Sequence, residues 1–163
     1  MRQVDLQPLV EALREPMRRF VREARVRIAL LVNGSGQILA QHGFTRSYEV
    51  VSVAALAAAA HAAARALAQL TGQARWTHLH HAGQELQLVL APFHTPGEEL
   101  ILVAIFDEDS SLGLVQLYLE RLAGEVGQLP QFQRVLAFTD AAGFERELEA
   151  GLRSFFASEL GSG

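Results

Sequence analysis

The sequence contains no cysteine and no lysine, and only one tryptophan and two tyrosines. Without cysteine there is no disulfide, no thiolate metal site and no cysteine nucleophile, which is compatible with a reducing cytoplasm. All fourteen basic residues are arginine. Together with abundant alanine and glycine, this bias suggests high-GC coding and a bacterial source. The formal net charge of −4 lacks the basic excess of a general nucleic-acid binder. The N-terminal run MRQVDLQPLVEALREP has early acids and no apolar h-region, so it does not read as a signal peptide. No G-x-S-x-G, dinucleotide-binding glycine pattern or P-loop occurs, and the chain carries no evident active site of its own. The Gly34-Ser35-Gly36 run leads into a strand, so no helix N-terminus awaits a phosphate there.

Half the residues are hydrophobic and a fifth charged over 163 positions, the balance of a soluble domain with a real core. The dominant stretch is Ser52 to Leu70, SVAALAAAAHAAARALAQL. It has no Pro or Gly, and from Val53 onward its only strongly polar residues are His61, Arg65 and Gln69, which predicts about five turns of helix. Ser52 is the expected cap and Gly72 the terminator. Its length approaches a bilayer span, but Ala is weakly apolar and Arg65 would be costly in lipid, so stable membrane insertion is not expected. Val53, Leu56, Ala60, Ala63, Leu67 and Leu70 form a large-residue stripe expected to pack on a sheet. Opposite lie Ala54, Ala58, Ala62, Arg65 and Gln69, flanked by Ala55 and Ala66. This flat apolar side calls for a cover of its own, unless alanine merely serves there as a helix former facing solvent.

Around this helix the chain alternates in an orderly way. Residues 5 to 24 have helical periodicity, with Pro16 predicting a kink or a break into two helices. Six arginines between Arg14 and Arg27 read as a solvated face partly neutralised by Glu11, Glu15 and Glu23, in preference to a docking patch for acidic partners. Val26 to Val32 and Gln37 to Gln41 read as a hairpin. Arg75 to Ala82, Glu85 to Ala91 and Leu100 to Phe106 read as three more strands, and Leu112 to Val126 as a helix. An amphipathic helix is expected near Ala141 to Glu159. Tight links between successive strands imply an antiparallel sheet flanked by helices, the α+β class. The expected division is a domain at 1–127 and a C-terminal extension at 128–163.

His78, His80 and His81 form the one cluster suggestive of a metal. His78 and His80 would share a strand face, but no third ligand has suitable spacing, so no metal or other cofactor is expected. His61 has no acid or nucleophile one turn away and reads as a contact residue. Asp107, Glu108 and Asp109 precede a helix, and dipole stabilisation explains them more simply than a bound cation.

The succession ALLVNGSGQILA, the Ala-rich helix ending LAQLTGQARW, and LILVAIFDEDSSLGLVQL resembles the Roadblock/LC7 domain family, in particular its bacterial MglB branch, over about residues 16 to 127. The resemblance implies a profilin-like five-stranded antiparallel sheet with the long helix on one face and terminal helices on the other. It also implies a homodimer formed through the long helix and the following strand. The paired helices would form a platform for a small Ras-like, MglA-type GTPase. By position, Ala55, Ala58, Ala62, Arg65, Ala66 and Gln69 would serve the GTPase, and Ala54, His61, Trp76, His78 and His80 the dimer. The implied activity is GTPase activation in cell polarity or motility, achieved by pressing the GTPase's own catalytic groups into place. A non-catalytic scaffold is one alternative. A PAS- or GAF-like ligand sensor is another, disfavoured because an Ala-rich helix fills space poorly around a cavity lined by large residues.

Overall fold

The two hydrophobic hairpins and the long apolar strand near residue 100 assemble into one five-stranded sheet. The computed structural model describes residues 7–73, 76–95 and 99–131. In chain order these are α1 (Gln7–Glu23), β1 (Ile28–Asn33), β2 (Ile38–Gly43), α2 (Val50–Leu70), β3 (Leu79–Ala82), β4 (Gln87–His94), β5 (Glu99–Phe106) and α3 (Leu112–Gly127). The spatial order is β2-β1-β5-β4-β3, and every neighbouring pair is antiparallel. This is the α+β architecture expected from the sequence. The strand expected from Arg75 begins only at Leu79, and the amphipathic segment from Ala141 lies outside the described residues.

Side-chain alternation along the central strands divides the core into two layers. Ala29, Leu31, Leu100, Leu102, Ala104 and Phe106 point to α1 and α3, meeting Leu13, Met17 and Phe20 from α1 and Val115 and Leu122 from α3. Ile28, Leu30, Val32, Leu90, Ile101 and Val103 point to α2. Burial of both sheet faces explains why β1 and β5 are continuous apolar runs.

Helix α1 runs without a break through Pro16, instead of dividing there. Leu9 and Leu13 before the proline and Met17 and Phe20 after it are buried in one stripe, so tertiary packing holds the helix together despite the missing backbone donor. The β1–β2 turn is organised by Asn33, whose Oδ1 accepts from the backbone N–H groups of Ser35 at 3.1 Å and Gln37 at 3.0 Å. Gly43 ends β2 with φ +102°, and a Cβ there would lie 2.2 Å from the Arg27 carbonyl oxygen. Only glycine fits this crossing.

Candidate functional site

Helix α2 lies on the sheet with its small face inward, reversing the packing expected from side-chain size. Ala54, Ala57, Ala58, Ala64 and Ala68 are buried, whereas Leu56, Leu67 and Leu70 are 70, 50 and 83% exposed. The reason lies in the sheet. Beneath the N-terminal half of the helix its α2 face already presents Ile28, Leu30, Val32, Ile101 and Val103, and close packing leaves room there only for the methyl groups of Ala54, Ala57 and Ala58. A Cβ at Gly36 would stand 3.0 Å from the Ala55 Cα, a measure of how near the helix backbone comes to the β1–β2 turn. Ala54 and Ala58, expected at the dimer and GTPase surfaces, therefore belong to this protein's own core. Of the other platform positions, Ala55, Ala62, Arg65, Ala66 and Gln69 are exposed. Val51 joins Leu56, Leu67 and Leu70 in an outward apolar face at 74% exposure. The helix starts at Val50 after Glu49, with no side-chain cap, so Ser52 is inside it and not at its N-cap.

The positions expected at the dimer separate. His61 sits on the underside of α2, its side chain 12% exposed. Its Nε2 lies 2.5 Å from Glu99 Oε1 at the start of β5. Arg65 Nη1 stands 3.7 Å from the same oxygen, and His94 Nδ1 lies 3.3 Å from Glu99 Oε2. His94 and Glu99 are register partners across β4 and β5, which is why both reach the α2 face. Burial by itself would raise the Glu99 carboxyl. The His61 hydrogen bond, with the charges of His61, Arg65 and His94, outweighs it and holds the group below the usual carboxylate value. Sequence spacing could not reveal this cluster, because Glu99 lies 38 positions from His61.

His80 faces the other side of the sheet. Its ring stacks on Phe106 at 6.3 Å, and its Nε2 is 2.8 Å from Gln87 Oε1. His78 is half-buried, with Gln116 Nε2 of α3 3.2 Å from its ring nitrogens. Trp76 precedes β3 and is half-buried. Among the described residues no group of three or more His, Cys, Asp or Glu side chains is arranged to hold a metal ion. Asp107 accepts from the Asp109 backbone N–H at 3.0 Å and from Arg27 Nε at 2.5 Å, contacts that hold its carboxyl below the ordinary value. It closes a turn and pairs with Arg27. The α3 cap is Ser111, whose hydroxyl accepts from Leu114 N–H at 3.2 Å.

Beneath the C-terminal half of α2 lies a groove of about 500 Å³. Ala64 and Ala68 border it on the helix side, Leu90 and Pro92 on the sheet side, and the Glu99 cluster and Trp76 also line it.

The model of the Roadblock/LC7 domain matches residues 14–106. Among solved structures, Myxococcus xanthus MglB is similar at 27% identity with a TM-score of 0.70, over 83% of this chain and 95% of that one. The gliding protein MglB of Thermus thermophilus is similar at 30% identity with a TM-score of 0.64, over 81% and 93%. An MglB described as having a tetrameric arrangement is similar at 31% identity with a TM-score of 0.66, over 79% and 93%. No curated protein matches the chain. The five-stranded antiparallel sheet, the single long helix on one face and the family match over more than half the sequence agree, and the chain belongs to the Roadblock/LC7 domain family.

Proposed function

We propose that the protein is a cytoplasmic homodimer that binds a small Ras-like GTPase of the MglA type on the outward side of α2 and accelerates its GTP hydrolysis. The observation that carries this reading is the exposed apolar face of Val51, Leu56, Leu67 and Leu70, continuous with Ala55, Ala62 and Ala66. Such a face on a soluble domain marks a protein interface. β3 adds a four-residue strand at the sheet edge, whose outer backbone groups offer pairing to a second copy. Similarity to MglB at 27 to 31% identity supports the choice of partner class. Ala55, Ala62, Arg65, Ala66 and Gln69 are the GTPase contacts in this reading; Trp76 and His78 lie near the dimer seam, with His80 beside it on β3.

The protein contributes no reacting group. A rigid helical platform favours the GTPase switch conformation nearest the transition state, a population shift that lowers the barrier. Arg65 is not assigned as an inserted finger, because a side chain held on the flank of a helix, with Nη1 3.7 Å from Glu99 Oε1, reaches poorly into a nucleotide site. Single-turnover GTP hydrolysis by an MglA-type GTPase of the source organism, with and without this protein, tests the reading. Activation by at least about tenfold, some 1.4 kcal/mol off the barrier, is expected. Binding without acceleration would leave a scaffold, and a monomer in light scattering would remove the dimer.

A further inference from the structure

Helix α2 carries a single full charge along its length. Among the 21 residues from Val50 to Leu70, Arg65 is the one Asp, Glu, Lys or Arg. It belongs to a polar line, His61, Arg65 and Gln69, set one turn apart, and the line spirals from the underside of the helix to its open side. The His61 side chain is 12% exposed and that of Arg65 63%, while Gln69 lies in the open. Beside Arg65 the exposed face continues with Ala62 and Ala66, whose methyl groups cannot shield a guanidinium standing among them.

The protein's own acid does not use up this charge. Glu99 takes its shorter contacts from His61, 2.5 Å from Oε1, and His94, 3.3 Å from Oε2, so neither oxygen depends on Arg65. Arg65 Nη1 stands 3.7 Å from Oε1, an ion-pair separation beyond hydrogen-bond length. That contact engages one nitrogen of a planar fork able to grip a carboxylate with two. Covering the face with a purely apolar surface would strip water from the charge and supply nothing in its place, which rejects such a partner. A surface bearing a carboxylate gains a two-pronged contact instead, strengthened by the loss of water around it.

We propose that Arg65 is the specificity-determining residue of the platform, selecting a GTPase that presents an Asp or Glu side chain within an otherwise apolar docking patch. This rests on the GTPase reading above and adds to it the chemistry of the partner's surface. Attraction and rejection act together, since the same guanidinium favours the acidic partner and penalises the neutral one.

The test titrates the full-length protein with an MglA-type GTPase of the source organism, loaded with a GTP analogue, at about 50 and about 300 mM NaCl. The wild-type affinity should fall with salt. Arg65→Gln should bind about tenfold more weakly at the lower salt and lose little more at the higher. Arg65→Lys keeps the charge without the fork, so it should lie between the two and retain the salt dependence. Light scattering should give every variant the mass of the wild type. Arg65→Gln binding as tightly as wild type, or with the same salt dependence, overturns the proposal. So does loss of the dimer in that variant, which would put Arg65 at the seam between copies. A wild-type protein that binds no such GTPase removes the underlying reading as well, a failure that shows before any substitution is made.

Discussion

His61 Nε2 stands 2.5 Å from Glu99 Oε1, joining the underside of α2 to the first residue of β5. The contact fastens the C-terminal half of the long helix above a groove that its own alanines leave unfilled. The Glu99→Gln variant should lose about 1.5–3 kcal/mol of stability at pH 7, the range for a hydrogen bond to a charged group. The folded-state carboxyl of Glu99 is lowered, so its contribution is present above the unfolded carboxylate range, about 4.3, and is lost as pH falls through the still lower folded value. Urea titrations stepped downward from pH 7 should therefore separate the two proteins at neutral pH, with the difference shrinking only below the unfolded carboxylate range and vanishing once the pH is below the folded value.

The inward orientation of the small face of α2 makes a paired prediction. Ala54→Leu should cost about 1–3 kcal/mol, because Ala54 has no exposed surface and large sheet residues stand opposite it. Ala63→Leu, on the outward side, should leave stability within about 0.5 kcal/mol. Thermal denaturation of the two variants distinguishes the faces, and equal effects would contradict this orientation.

Ala62 lies in the open and contacts no core layer, so Ala62→Arg should fold with an unchanged urea midpoint. Its long charged side chain should nevertheless abolish GTPase binding in a pull-down with the GTP-analogue-loaded partner. Undiminished binding would move the platform to another face.

Gly43→Ala should destabilise by about 2 kcal/mol or more, since its φ of +102° is strained for any residue with a Cβ and the Arg27 carbonyl blocks that atom. The measurement is a urea midpoint, and a value equal to wild type would mean that the β2 end is arranged differently.

Much of the fold was legible because its signals are local. Asn33-Gly34-Ser35-Gly36 announces a hairpin, ELILVAIF a strand buried on both sides, and Ser111 a helix start. The inward face of α2 was not legible. Helical periodicity marks which residues share a stripe, but the sheet opposite decides which stripe fits, and sheet bulk favoured the methyl groups over Leu56 and Leu67. The Glu99 cluster was hidden for a related reason. His61, His94 and Glu99 come together only through the β4–β5 register and the crossing of α2, neither of which appears as a spacing in the chain.

The order of the strands also constrains how the molecule is made. β5, the last of the described strands to be synthesised, occupies the middle of the sheet and pairs Ile28 with Ile105 on one side and Leu90 with Val103 on the other. A nascent chain that has emerged only through β4 holds two separate hairpins with no common centre. Closure waits for β5 to wedge between them, so the sheet assembles late, from contacts remote in sequence, and folding is slower than its helix content alone would give.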